Sequence, residues 1–543
     1  MQREDNAAAG LGRRAALAGL GALPMAAALP AAAQSAAGAR SKVIRFAAST
    51  EPTTLDPVVS PLLVTQEHSY LVYDTLFSLD AQFRPQPQMV ESVEADPGHA
   101  AWTMRLREGL AFHDGSPVTS ADVLASIARW ATRDTAGRQL ATLGLKTEAV
   151  DARTFRLRLD TATPFLFEAL AKPTSSALFI MREREARGDA NRPVAEIVGS
   201  GPFRFVKEEH RQGYRLVYER NAAYRPRAEP ASYLSGGKDV KIDRVEWMAM
   251  PDAATAFAAV QRGELDICSA PPLDLLPTLR GRRDVVVATT NPQGWVPFAR
   301  MNFLHPPFDR PEARRALQLA VRQTDIVRAA GADEAYGLRE CHSYFGCGGA
   351  NESQAATEAL RGAERDEARR LLRAIGYDGT PVVFIAPGDN DILRIIATVT
   401  AGQMREAGFT VDLQFSDFAS MMARRNRREP PAQGGWNMFP MQAFAFELDS
   451  PASNFLLSTP CDGSGYAGWA CDPALFDTRE AWLREADPAR RRQLVERMQV
   501  EAARLVPAAL LGQYVRPIVH RRQVQGLVQA PVTVMWNIDL AAA

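Results

Sequence analysis

The side chains best suited to catalysis are few and widely separated in this 543-residue chain. No two histidines are three to five residues apart, so the His-Glu-x-x-His arrangement of zinc hydrolases is absent. No Gly-x-Ser-x-Gly elbow occurs; the nearest string, VGSGP at 198–202, predicts a turn around Ser200. The sequence His113-Asp114-Gly115 is equally explained by turn chemistry. We therefore expect no catalytic residue and no metal site, and the sequence does not predict an enzyme.

The composition also restricts the partners. Neither a Gly-x-x-x-x-Gly-Lys loop nor a Gly-x-Gly-x-x-Gly turn is present, so no nucleotide cofactor is expected, and no other cofactor is predicted. The 63 basic and 63 acidic residues balance, which leaves no basic field for nucleic acid or anionic lipid. With 46% apolar and 23% charged residues, the chain is typical of a large globular protein. Any ligand must be recognised locally, and we expect a monomer.

Residues 1–40 have the pattern of a cleavable export signal. Arg13 and Arg14 precede an uncharged stretch, 15–33, that is rich in Ala, Leu and Gly, and small residues favour cleavage near residue 33. The stretch is too weakly apolar for a stable membrane span. The adjacent arginines resemble a twin-arginine signal, although Gly12 and Ala16 depart from its usual flanks. Both secretion routes stay open, and the mature protein is expected to be periplasmic and soluble.

The five cysteines fit an exported protein. Cys341 with Cys347, and Cys461 with Cys471, are close enough in sequence to form two local disulfides, which export permits. Cys268 lies alone in an apolar stretch and is expected to be a buried free thiol. A zinc site at the first pair would lack a fourth ligand nearby.

Several elements can be predicted from their patterns. WTMRLREG at 102–109 and TFRLRLD at 154–160 alternate apolar and polar residues, which is typical of half-buried antiparallel strands. Thr119, with Asp122 three residues later, predicts the start of a helix. A helix over 253–262 should end at Gly263, and another should begin after Asp487 and stop at Pro507.

The order of these elements predicts the domain organisation. The chain is rich in strands up to about residue 290, then alternates helices with short strands, and regains strand character after about 506. We therefore expect lobe I at 41–290, lobe II at 291–505, and a return to lobe I at 506–543. Because the chain crosses between the lobes twice, hinge motion is expected.

Ordered motifs carry a family resemblance over nearly all of the mature chain. The motifs include TLDP at 54–57, VYDTLFSLD at 72–80, MRLREGLAFHDGSPVTSADVLASIARW at 104–130, and GSGPFRFV at 199–206. The chain resembles the family 5 extracellular solute-binding proteins of ABC importers, which include dipeptide-, oligopeptide- and nickel-binding members. The resemblance implies a two-lobed α/β periplasmic binding protein fold with an extra subdomain in the first lobe. A ligand would lie in the cleft between the lobes and be delivered to a membrane permease.

The resemblance also implies ligand-binding residues. In peptide-binding members an acidic residue a few positions before a proline accepts the ligand's ammonium group, and Glu447 before Pro451 occupies the matching position. An arginine near the start of a helix meets the ligand's carboxylate in dipeptide binders, and Arg394 matches it. Trp436 and Phe446 are candidates for the pocket wall.

The ligand class implied by the resemblance is a short peptide or an amino-acid-like compound. Other members of the family bind nickel chelates, opines or sugars, and these stay open as alternatives. A receptor that presents its loaded form to a membrane sensor would use the same recognition of the closed state, so the sequence does not separate transport from sensing.

Overall fold

The computed structural model describes residues 41–98, 100–174, 176–250, 252–362 and 364–541. The predicted export signal at 1–40 lies outside the described residues. The residues from Lys42 onward form one compact unit. None of the helices in the described ranges is long and apolar enough to cross a membrane.

The strands alternate with helices along the chain. The strands are β1 (Val43–Ala47), β2 (Asp74–Thr75), β3 (Phe77–Leu79), β4 (Pro85–Pro87), β5 (Val90–Ala95), β6 (Ala101–Leu106), β7 (Lys146–Ala149), β8 (Thr154–Arg158), β9 (Phe179–Ile180), β10 (Phe203–Phe205), β11 (Arg215–Arg220), β12 (Arg244–Met248), β13 (Ile267–Cys268), β14 (Val285–Ala288), β15 (Trp295–Met301), β16 (Val382–Pro387), β17 (Val411–Ser416), β18 (Met438–Phe444), β19 (Ala508–Leu510), β20 (Ile518–Arg521), β21 (Val524–Gln525) and β22 (Asp539–Leu540). The α-helices are α1 (Leu63–Val72), α2 (Ser120–Arg133), α3 (Thr135–Thr142), α4 (Phe165–Leu170), α5 (Glu183–Ala186), α6 (Ala253–Arg262), α7 (Pro311–Ala320), α8 (Gln323–Ala329), α9 (Arg365–Ala374), α10 (Asp391–Glu406), α11 (Phe418–Arg424), α12 (Ala445–Asp449), α13 (Pro473–Arg484) and α14 (Pro488–Leu505).

Three larger sheets organise these elements. The first has seven strands in the order β10-β11-β12-β1-β13-β20-β14, in which β1 is parallel to β12 and β13. The second has five strands in the order β17-β16-β18-β15-β19, with β16 parallel to both neighbours. The third is the antiparallel sheet β5-β6-β8-β7, which contains the two half-buried strands predicted from sequence. That an inserted subdomain is built on this four-stranded sheet stays a prediction.

The predicted helix ends are confirmed where local chemistry specifies them. Thr119 precedes α2, and the Asp122 carboxylate accepts hydrogen bonds from the Thr119 amide (2.8 Å) and hydroxyl (2.7 Å). α6 ends at Gly263, whose φ of 77° lies in the left-handed region. The Asp487 side chain accepts from the Arg490 amide at the start of α14.

The chain passes between the first two sheets at two places. One crossing lies between Ala288 and Trp295, and the other lies between Leu510 and Ile518. The crossings pair with each other, because the Trp295 amide donates to the Tyr514 carbonyl (2.8 Å) and the Tyr514 amide donates to the Trp295 carbonyl (3.0 Å). Because β19 belongs to the second sheet, the chain returns to the first sheet only after Leu510, which is later than residue 506. The exact boundaries of the lobes stay a prediction.

A glycine is required where the two crossings meet. Gly294 has a φ of 67°, and a Cβ atom at this position would lie 2.2 Å from the Tyr514 carbonyl oxygen. No larger residue fits without moving that backbone. Gly294 therefore allows the two connections between the sheets to approach each other closely.

Candidate functional site

Glu447 lies on the short helix α12, directly after the end of β18. The helix turns the chain so that the Glu447 carboxylate accepts a hydrogen bond from the Phe444 amide at 3.3 Å. Its other oxygen accepts from the Thr174 hydroxyl at 3.0 Å. These two contacts orient the carboxylate, and the second one joins α12 to a segment 273 residues earlier in the chain.

Glu447 lines a cavity of about 970 Å³. The described residues that line the cavity come from two parts of the chain, 58–191 and 350–492. The first part includes α4, and the second includes α12 and the first turn of α14. A volume of this size suits a small organic solute that is largely enclosed by protein.

Charges of both signs surround the cavity. Four described lining residues are acidic and six are basic: Asp134, Glu168, Glu447 and Asp449, and Arg84, Arg133, Arg138, Lys172, Arg491 and Arg492. Such a wall can meet an ammonium group and a carboxylate on the same solute.

Arg491 is held at the cavity by an ion pair and by an aromatic ring. Its guanidinium group forms two hydrogen bonds to the Glu168 carboxylate, at 2.7 and 3.2 Å. The same group lies 3.7 Å from the ring centroid of Trp482, so it is also held by a cation–π contact. Its Nε atom is buried and has no hydrogen-bond partner among the described residues. The guanidinium group of Arg491 is thus held in place, while its Nε–H donor makes no hydrogen bond to the described residues.

Asp449 lies two residues beyond Glu447 and is held differently. The Asn351 amide donates to its Oδ1 atom at 2.8 Å. Gly349 passes so close that a Cβ there would lie 2.0 Å from Oδ1. Burial raises the pKa of Asp449 to about 6, against the lowering effect of the backbone amides of Asn351 and Ala350. The charge of Asp449 therefore changes as the pH passes through about 6.

Lys172 and Asp134 form a second ion pair on the cavity wall. Asp134 also accepts hydrogen bonds from the amides of Ala136 and Gly137, at the start of α3. The carboxylate therefore both caps a helix and holds the lysine at the cavity.

Two of the four sequence-predicted ligand residues lie on this cavity. Phe446 is buried, lines the cavity beside Glu447, and stacks on Phe444 with ring centroids 5.1 Å apart. Arg394 and Trp436 are not among the described residues that line it. The Arg394 side chain is 43% exposed in the first turn of α10 and pairs with Asp391 at 2.7 Å.

Trp436 belongs to the core of the second sheet. It is fully buried, with its ring centroid 5.0 Å from that of Phe439 and 5.9 Å from that of Trp469. This packing in the core accounts for a tryptophan at position 436, and no contact with a ligand is needed to explain it.

Glu168, Lys172 and Arg491 were not identified as site residues from the sequence. Arg491 lies among consecutive arginines in α14, and helical periodicity does not specify which of them faces a cavity built by other segments. Glu168 lies on α4, a six-residue helix with no recognisable motif. Only the tertiary arrangement brings these side chains together.

The cysteines form the two pairs expected from the sequence. Cys341 is joined to Cys347 and Cys461 to Cys471, with Cα atoms 5.9 and 4.7 Å apart. Cys268 is free and buried. Within the described ranges, no group of three or more His, Cys, Asp or Glu side chains could hold a metal ion.

Comparison with known proteins identifies the family. A sequence model of the bacterial extracellular solute-binding proteins, family 5 (middle region), matches residues 84–465. A probable peptide ABC transporter periplasmic-binding protein of Sinorhizobium fredii is 33% identical over 506 residues, which cover 93% of this chain and 94% of that protein.

Two solved structures show the same fold. A periplasmic binding protein from A. tumefaciens R10, in complex with agropinic acid, has a TM-score of 0.76 and 22% identity, and the match covers 92% of this chain and 99% of that chain. An ABC transporter-associated periplasmic binding protein from Helicobacter pylori, in complex with the peptide STSA, has a TM-score of 0.75 and 18% identity over 92% and 98% of the two chains. The fold is thus the two-lobed α/β fold of periplasmic binding proteins, as the sequence predicted. Since the family model matches more than half of the sequence, the chain belongs to the bacterial extracellular solute-binding proteins, family 5.

Proposed function

We propose that the protein is the periplasmic substrate-binding component of an ABC importer and captures a short peptide or an amino-acid-like compound. Family membership supports the solute-binding role. The observation that carries the ligand class is the oriented Glu447 carboxylate in a cavity that also presents six cationic side chains. A solute with an ammonium group at one end and a carboxylate at the other matches this wall.

In this proposal Glu447 accepts hydrogen bonds from the ligand's ammonium group, and Arg491 binds the ligand's carboxylate. The Glu447 oxygens are already oriented by Phe444 and Thr174, so little ordering is needed when the ligand arrives. Phe446 packs against the apolar part of the solute. No bond is made or broken, and the protein acts as a monomeric receptor and not as an enzyme.

Capture is coupled to closure of the two lobes. Lobe I, which carries the seven-stranded sheet, and lobe II, which carries the five-stranded sheet including β19, move about the two crossings between the sheets. A ligand that contacts both lobes stabilises the closed form by its higher affinity for that form. A membrane permease then distinguishes the loaded protein from the empty one.

A second candidate is an opine-like acid with more than one carboxylate. The excess of basic over acidic lining residues, six against four, favours it. Its extra carboxylate would find a partner among Arg133, Arg138 and Arg492. A solute with this composition would still use Glu447 for its amino group.

The substitution Glu447→Gln tests the assignment. It keeps the side-chain size and removes the charge, and a hydrogen bond to a charged partner contributes about 1.5–3 kcal/mol. We therefore expect the Kd for zwitterionic di- and tripeptides, measured by isothermal titration calorimetry, to rise about 10- to 100-fold.

Two matched variants serve as controls for the loss of charge. Glu334→Gln changes an exposed glutamate outside the cavity, and Arg394→Gln removes the sequence-predicted arginine. Both should leave the Kd unchanged. If Glu447→Gln bound these peptides as tightly as the unmodified protein, the site assignment would be wrong, although the family membership would stand.

A further inference from the structure

A second cavity lies at the first crossing between the sheets. It has a volume of about 440 Å³, and residues 291–293, which connect β14 to β15, form part of its wall. Thirteen described residues line it, and none of them carries a charge. Its wall therefore differs in kind from the charged wall of the cavity at Glu447.

Three unpartnered polar atoms belong to residues that line this cavity. Tyr233 Oη, Asn291 Nδ2 and Gln293 Oε1 are buried and have no hydrogen-bond partner among the described residues. The three residues are only 8%, 9% and 5% exposed. A buried polar group without a partner is unfavourable, so three of them around one cavity require an explanation.

The other polar atoms of these side chains are engaged, which fixes the orientation of the unpartnered ones. Asn291 Oδ1 accepts from the Gly294 amide, and Gln293 Nε2 donates to the Gly348 carbonyl, both at 3.3 Å. Asn291 thus offers an N–H donor, Gln293 offers an oxygen acceptor, and the Tyr233 hydroxyl can do either.

The backbone around the cavity is strained. Phe83, Tyr233 and Asn537, with φ of 57°, 56° and 63°, all line it. For bulky residues such as Phe and Tyr, the left-handed region is unfavourable. Strained residues that are held in place by their surroundings tend to cluster at binding sites.

We propose that the second cavity is a binding site for an uncharged small molecule that carries a carboxamide or adjacent hydroxyl groups. A carboxamide oxygen accepts from Asn291 Nδ2 while its N–H donates to Gln293 Oε1, and adjacent hydroxyls offer the same donor and acceptor pair. The rings of Phe83 and Tyr233, which line the cavity and meet edge-to-face with centroids 5.4 Å apart, form the apolar part of the wall, and the apolar part of the molecule packs there. A charged molecule is rejected because no lining residue compensates its charge.

Benzamide and D-glucose are suitable probes, with benzoate as the matched charged ligand. Benzoate has the shape of benzamide but replaces the carboxamide with a carboxylate. Kd values are measured by ligand-observed nuclear magnetic resonance titration of the full chain. We expect benzamide to bind with millimolar Kd and benzoate to bind at least tenfold more weakly, and D-glucose tests the adjacent hydroxyls in the same way.

Two conservative substitutions locate the binding. Tyr233→Phe removes only a hydroxyl that has no partner, and Asn291→Asp keeps the oxygen that accepts from Gly294 while it replaces the N–H donor. Each should weaken probe binding about fivefold. The matched controls Tyr214→Phe and Asn426→Asp change exposed residues and should leave the Kd of the probe unchanged.

The proposal is overturned if neither probe binds at up to about 50 mM. It is also overturned if the cavity variants bind the probes as tightly as the controls do, or if benzoate binds as tightly as benzamide. Because these variants leave Glu447 and Arg491 in place, failure here does not bear on the function proposed above.

Discussion

Two carboxylates on one short helix line the same cavity under different constraints. Glu447 is oriented by one hydroxyl and one backbone amide, whereas Asp449 is desolvated and held by the loop at Asn351. The position of Glu447 could be predicted from its resemblance to the family's acidic residue. The role of Asp449 could not, because its environment is made by residues 349–351, about 100 positions earlier in the chain.

At the scale of residues, the pKa of Asp449 predicts a pH dependence of binding. As the pH falls through about 6, Asp449 gains a proton and the cavity loses a negative charge. The affinity for an ammonium-bearing peptide should therefore be lower at pH 5 than at pH 7.5, by about tenfold. Calorimetric titrations across this range measure the effect.

Asp449→Asn separates this residue from the other titratable groups. The amide keeps an oxygen for the Asn351 amide but cannot ionise, so the pH dependence should be largely lost. An equally steep pH profile in the variant would show that another group is responsible.

At the scale of elements, the ends of helices were the most predictable features. Their signals are local, as in Thr119 with Asp122 and in Gly263, and the structure confirms them. Arg394 pairs with Asp391 three residues earlier, whereas the environment of Trp436 depends on contacts distant in sequence. Trp436 packs against Trp469, which lies 33 residues later. Residues of α4 and α14 line the cavity together, and no local sequence pattern indicates that these two helices meet.

The placement of Trp436 predicts that its substitution affects stability and not ligand affinity. Trp436→Phe removes part of a fully buried ring and leaves a small void, which should lower the free energy of unfolding by about 1–2 kcal/mol. Urea denaturation measures the stability, and titration with a bound peptide measures the Kd, which should not change.

Phe446→Leu is the matched substitution of an aromatic residue on the cavity wall, and it should weaken peptide binding. The element-scale account would be contradicted if Trp436→Phe weakened binding as strongly as Phe446→Leu at equal stability.

At the scale of the whole molecule, two sheets are joined by paired crossings. The sequence predicts a first lobe interrupted by a second one, and β20 lies in the seven-stranded sheet between β13 and β14. The two crossings approach each other closely at Gly294 and are joined there by backbone hydrogen bonds between Trp295 and Tyr514. What the sequence could not predict is most of the lining of the two cavities, since each gathers side chains from several distant segments.

The central claim is that the cavity at Glu447 holds a zwitterionic, peptide-like solute. Native mass spectrometry of the purified protein, followed by denaturation and identification of the released molecule, tests this claim most directly. The protein is saturated beforehand with a peptide mixture and freed of excess, and Glu447→Gln is treated in parallel. We predict a peptide or amino-acid-like mass bound one to one by the unmodified protein and largely lost from Glu447→Gln. Retention of the same mass by both proteins, or no peptide bound to either, would contradict the account.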